Sequence, residues 1–134
     1  MATFIDTNVL IDVLSVDPKK SDPCSLKLNE AKTRGRVLIT DVVFSEFSIA
    51  MSTVEEAEAA VNALEITRVR CPSTALFRAG RAFLDYKDKN AGTKTNVLPD
   101  FFIGAHAVAE NAPLITSDIK RMTGYFPELT VIKP

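Results

Sequence analysis

What this chain has little of narrows its chemistry first. Its two cysteines, Cys24 and Cys71, are far apart and follow no metal-binding spacing, so a thiolate metal site lacks its ligands. Both read as reduced thiols, the cytosolic habit. Its one histidine, His106, lies six residues past Asp100 and so off that residue's helix face, at about 100° per residue. It reads as a packing side chain, not a base or ligand. Neither charge is in excess: 16 basic and 17 acidic residues give a net charge of -1. Strong non-specific attraction to nucleic acid is therefore not written into the overall charge, and any contact with a polyanion must come from a local patch. No hydrophobic run approaches the roughly 18 residues of a membrane helix. Asp6 interrupts the first apolar stretch, which argues against a signal peptide. The expectation is a soluble, cytoplasmic chain.

What is there suits one folded domain spanning residues 1–134, with 46% hydrophobic residues. A domain near this size buries roughly 70% of its unfolded surface. Short apolar runs alternate with helical patterns. Strands are expected at Met1 to Ile5, Arg36 to Thr40, Ile66 to Val69, Pro113 to Thr116 and, as an edge strand, Thr130 to Ile132. Helices are expected after Asp6, from Ser21 or Asp22 to Gly35, after a cap at Asp41, from the capping box Thr53–Glu56, from Pro72 through Tyr86 and from Pro99 to Asn111. In the helix after Pro72, Leu76, Ala79, Phe83 and Tyr86 form the apolar stripe. Continuous apolar strands between helices mean a parallel sheet covered on both faces. The fold class is α/β, three-layered, with four to five parallel strands.

Four acids stand out in this pattern. Asp6 follows the first strand, Glu46 lies one turn into the helix after the second, Asp100 opens a strongly apolar helix, and Asp118 follows the fourth strand. Ligands of open α/β sheets bind beyond the carboxyl ends of the strands. Each acid sits in sequence expected to be buried, with no lysine or arginine beside Asp6 or Glu46, and buried acids need a partner. Carboxylates gathered there repel one another unless a cation balances them, and a hard divalent cation prefers such oxygen ligands. Read singly, Asp100 also fits a favourable charge at a helix N-terminus and Asp118 a helix cap. Thr7, Asn8, Thr116 and Ser117 are candidates to hold the acids in place.

The motifs around these acids carry a resemblance. F-I-D-T-N-V-L-I-D, T-D-V-V-F-S-E-F, L-P-D-F-F-I-G-A-H-A and L-I-T-S-D-I-K-R-M-T-G-Y-F-P resemble, in order, the four motifs of PIN-domain ribonucleases. The last two look especially like those of VapC toxins from bacterial toxin–antitoxin pairs. The resemblance covers nearly the whole chain. It implies a PIN fold and an endoribonuclease dependent on Mg2+ or Mn2+, which would inhibit translation by hydrolysing RNA. Asp6, Glu46, Asp100 and Asp118 match the family's acidic quartet, and Thr116 its polar residue two places before the last acid. Asn8 matches the asparagine that often follows the first acid. Ser117 departs from the basic residue common before the last acid.

By the same resemblance, Asp6, Asp100 and Asp118 would be metal ligands, direct or through water, and Glu46 would orient the attacking water or help hold a second ion. The partners implied are an RNA substrate, a second copy of the chain and a VapB-type antitoxin. That antitoxin would reach the acidic pocket with an arginine, laying an amphipathic helix along Val9 to Leu28. For RNA phosphates, Arg78, Arg81, Lys87, Lys89, Lys94, Lys120 and Arg121 are within the right stretches of sequence, with Lys94, Lys120 and Arg121 preferred. Two rivals are a PIN-like binding module without catalysis, and a haloacid-dehalogenase-like phosphatase with Asp6 as nucleophile. The phosphatase wants an aspartate where Asn8 stands and an acidic pair after the last strand, which is missing.

Overall fold

The computed structural model describes residues 1–89 and 97–134. Lys94 therefore lies outside the described residues. The elements in chain order are β1 (Thr3–Ile5), α1 (Thr7–Val13), α2 (Pro18–Arg34), β2 (Val37–Thr40), α3 (Asp41–Ser48), α4 (Val54–Ala63), β3 (Ile66–Val69), α5 (Ser73–Lys89), α6 (Leu98–Ala109), β4 (Leu114–Ile115), α7 (Ile119–Tyr125) and β5 (Val131–Ile132). The strands form one five-stranded sheet in the order β3-β2-β1-β4-β5. Every pairing is parallel. This matches the α/β expectation, with β5 at the edge.

The apolar runs explain the sheet. All of β1, β2 and β4 is buried, as strands covered on both faces must be. Phe4, Ile5, Ile39, Leu114 and Ile115 carry no exposed surface. The chain leaves β1 in one direction for β2 and β3, and returns on the other side for β4 and β5. The strand order thus reverses between β1 and β4, and their carboxyl ends form the crevice where α/β sheets bind ligands. Asp6 follows β1 directly, and Thr116 to Asp118 follow β4.

Three local expectations need correction. First, α2 begins at Pro18, not near Ser21, because Asp17–Pro18 is itself a cap followed by a proline at the first helical position. The Asp17 carboxylate accepts from Lys19 N at 3.0 Å, and the exposed Pro23 sits inside the helix. Second, the cap of α3 is Thr40, whose hydroxyl accepts from Val43 N at 3.1 Å. Asp41 is the first helical residue and pairs with Arg68 at 3.1 Å. Third, the buried stripe of α5 is Ala75, Ala79 and Ala82, while Leu76 is 45% exposed. Small residues there let α5 lie close against α6, with Phe83 and Tyr86 packed around Phe101.

Two glycines mark close approaches. Gly35 ends α2 where a Cβ would collide with the backbone of Met1. Gly104 lies on α6, one turn beyond Asp100, where a Cβ would come within 2.6 Å of the buried Phe126 ring and 3.0 Å of the Met122 sulfur. A side chain at 104 would push the end of α7 away from α6. Since Asp100 and Gly104 share a helix face, this close approach brings Asp100 up to α7.

Candidate metal-binding active site

The site is built on Asp6, the last residue before α1. Its backbone N–H still belongs to the sheet, donating to the Ile115 carbonyl at 2.9 Å. Its side chain is 5% exposed and fixed at both oxygens. Oδ1 accepts from Thr7 N at 2.7 Å, and Oδ2 accepts from the Thr116 hydroxyl at 2.8 Å. The first bond is a helix cap, which supplies a partner for one of the free N–H groups of α1. The second ties β1 to the end of β4. The Thr116 hydroxyl also accepts from Asp118 N at 3.0 Å, so one threonine positions two of the four acids.

Glu46 comes from α3. Its Oε1 accepts from the Thr7 hydroxyl at 2.6 Å. Thr7 therefore touches Asp6 through its backbone and Glu46 through its side chain. Asp100, in the first turn of α6, and Asp118, at the start of α7, are joined by a cation. Arg121 places Nη1 at 2.6 Å from Asp100 Oδ2 and 3.3 Å from Asp118 Oδ2. Asp118 stands at the N-cap position without a side-chain capping bond, so its carboxylate is committed to the cluster instead.

Electrostatics show that the acids sense one another. Burial drives the Asp6 carboxyl up from 3.8 to about 6. The hydrogen bonds from Thr116 and Thr7 oppose that rise, and the negative charges of Asp100 and Glu46 add to it. Asp100 is also raised, first by burial; Arg121 pulls it back down, while Asp118 and Glu46 push it up. Charge repulsion of this kind is what a bound cation relieves. The donor set consists of carboxylate oxygens, the hard ligands that Mg2+ and Mn2+ prefer. Among the described residues, no three His, Cys, Asp or Glu side chains close into a ready metal cage. The residues fit a hard divalent ion by donor chemistry, with Arg121 supplying positive charge between two of them.

The remaining predicted site residues fall elsewhere. Asn8 and Ser117 are exposed, and among the described residues neither hydrogen-bonds to the acids. Lys120 is exposed beside the cluster. Arg121, expected to face RNA, is instead within the cluster. Its signal in the sequence was the spacing of three residues from Asp118, which places both on one helix face. Arg78 is held by Glu128 through two bonds of 2.9 Å, Lys89 pairs with Asp85 at 3.2 Å, and Arg81 and Lys87 lie over the rings of Phe77 and Phe83. His106 is fully buried against Phe4, as expected of a packing residue; among the described residues its ring nitrogens make no hydrogen bond, and Nε2 lies 3.8 Å from Glu110 Oε1.

Residues 3–122 match the family model of the PIN domain. The chain belongs to the PIN-domain family. The match spans β1 to α7 and includes all four acids. No curated protein sequence matches the chain. Solved structures do. VapBC2 of Rickettsia felis, bound to a promoter DNA fragment, superposes with a TM-score of 0.73 at 20% identity, covering 99% of this chain and 98% of that one. A toxin–antitoxin complex of Klebsiella pneumoniae gives 0.71 at 22% identity, over 97% and 95%. VapBC-1 of nontypeable Haemophilus influenzae gives 0.70 at 19% identity, over 99% and 98%. At these identities the likeness is one of fold. Among the described residues of this PIN domain, no helix is long and apolar enough to cross a membrane.

Proposed function

We propose that this PIN domain is an endoribonuclease dependent on Mg2+ or Mn2+, and the toxin of a type II toxin–antitoxin pair acting in the cytoplasm to inhibit translation. The observation that carries the reading is the meeting of Asp6, Glu46, Asp100 and Asp118 beyond the carboxyl ends of β1 and β4. Asp6 is buried there and its carboxyl is pushed up to about 6. A buried acid with a raised pKa among other acids is a poor device for stability and a good one for function. The fold shared with solved toxin–antitoxin complexes supports the biological role.

In this reading Asp6, Asp100 and Asp118 hold the divalent ion. When bound, that ion supplies charge stabilisation at phosphoryl oxygens and a more acidic water. The protein's own groups do the rest. The Thr116 hydroxyl and the Thr7 N–H fix the orientation of Asp6 through both of its oxygens. Thr7 anchors Glu46 by Oε1, leaving Oε2 to orient water and take its proton. The products are a 5′-phosphate and a 3′-hydroxyl.

The antitoxin is expected on the helical hairpin of α1 and α2. Here Ile11, Leu14, Val16 and Leu26 are exposed, apolar anchors of the kind an amphipathic helix covers. Leu10 is fully buried, so its place is in the core and not in that groove. The test is cleavage of structured RNA by the wild type and by Asp100→Asn, each with added Mn2+ and with EDTA. Cleavage that requires the metal and disappears in a folded Asp100→Asn protein is the expected result. Undiminished cleavage by that variant would refute the assignment of the site.

A further inference from the structure

Arg121 is the feature of this site that the nuclease reading leaves unused. It projects from α7 three residues after Asp118 and reaches across to α6. One nitrogen, Nη1, lies 2.6 Å from Asp100 and 3.3 Å from Asp118. All three side chains are partly buried, with 32%, 27% and 42% exposure for Arg121, Asp100 and Asp118. Two carboxylates from separate helices face each other there, and a single positive group balances both. A guanidinium bonded to carboxylates is among the stronger polar contacts in proteins. Lys120 is the contrast: it is adjacent in sequence, exposed, and among the described residues has no bond to either acid.

We infer that Arg121 is a built-in counter-ion that occupies the acidic site before metal binds and sets the concentration of divalent ion needed to fill it. The inference rests on the reading of Asp100 and Asp118 as metal ligands. Arg121 engages one oxygen on each of two carboxylates that would hold the ion. A guanidinium at hydrogen-bonding distance from them also repels an arriving dication by its charge. Both effects act in one direction: the metal competes with Arg121, so the resting protein has a positive group balancing its acids, and half-filling of the site takes a higher concentration of divalent ion. Arg121 is on this account a positioning residue, tuning the site through Asp100 and Asp118.

The experiment is a Mn2+ titration near neutral pH, followed by the electron paramagnetic resonance of free Mn2+, on the full chain. Four proteins are compared: wild type, Arg121→Gln, Arg121→Lys and Lys120→Gln. Arg121→Gln is expected to bind Mn2+ at least about tenfold more tightly, the smallest effect that lost repulsion between a single and a double charge gives under bulk-water screening. Arg121→Lys keeps the charge on a more flexible stem and should fall between the two, which also preserves the test should the glutamine variant fold poorly. Lys120→Gln removes the same charge from a solvated position and should change affinity by less than about twofold. Equal affinity in Arg121→Gln and wild type, or equal tightening in Lys120→Gln, would overturn the inference while leaving the metal site standing. No Mn2+ binding by any of the four would overturn the metal-site reading and this inference together.

Discussion

Replacing Asp6 by asparagine should make the metal-free protein more stable at neutral pH. In the folded state the Asp6 carboxyl is raised from 3.8 to about 6, chiefly by burial. A raised value means that the folded protein holds this proton more tightly than the unfolded chain does. The corresponding stability is fully present below about pH 4 and is lost as pH rises through about 6. At about 1.4 kcal/mol per pH unit, the gap is worth about 3 kcal/mol. Asp6 is 5% exposed, so solvent does not screen much of it. Asparagine removes the charge but cannot accept from both Thr7 N and the Thr116 hydroxyl, and one lost hydrogen bond offsets about 1 kcal/mol. The net expectation is a gain of about 2 kcal/mol near pH 7.5, or about 4–8 °C in Tm for a chain of this size. The assay is thermal unfolding followed by circular dichroism, in EDTA, from about pH 4.5 to about pH 8. The gain should shrink as pH falls and vanish near the acid end, where folded wild-type Asp6 is neutral and keeps its bonds. A variant less stable than wild type at neutral pH, or a difference that ignores pH, would refute the account of Asp6.

Other perturbations follow from the same geometry. Thr116→Val removes the donor to Asp6 and the acceptor for Asp118 N. It should cost about 1–3 kcal/mol in denaturant unfolding and weaken Mn2+ binding in a titration. Gly104→Ala places a methyl within 2.6 Å of the Phe126 ring. Overpacking there should cost about 1–3 kcal/mol in thermal unfolding, and by moving α7 it should weaken metal binding as well. Conversely, His106→Phe replaces a fully buried ring whose nitrogens make no hydrogen bond among the described residues, with Glu110 Oε1 at 3.8 Å from Nε2. A stability change between neutral and about 1 kcal/mol favourable is expected, and a large loss would mean that the 3.8 Å contact with Glu110 is a stabilising one.

Much of this molecule was readable in its residues, for identifiable reasons. Strands covered on both faces are forced into apolar runs, so F-I, V-L-I-T and L-I showed themselves without an alignment. The acids showed themselves because a charge among buried residues breaks the pattern around it. What stayed hidden depends on contacts between elements. Thr40 and not Asp41 caps α3, because Thr40 has extended backbone and its hydroxyl reaches Val43 N, while the Asp41 carboxylate turns to Arg68 on β3. The stripe of α5 runs through alanines and leaves Leu76 in solvent, because α6 approaches too closely for large side chains. Leu10 on α1 and Leu14 just after it look alike in sequence, yet the core takes only the first. Arg121 read as a surface cation, since the only clue to its partner on α6 was a glycine that lets two helices meet.

The backbone of Asp6 carries one more implication, for motion. Its amide donates to Ile115 in the middle of the sheet, between strands with no exposed surface, so its hydrogen should exchange only when the whole domain opens. Asp118 stands at the start of a seven-residue helix, and its amide rests on a single threonine hydroxyl. Its hydrogen should exchange through a smaller, local opening of α7. The two halves of the acidic site thus belong to parts of the protein that come apart separately. One half is as permanent as the fold, and the other can leave and return within the lifetime of the folded state.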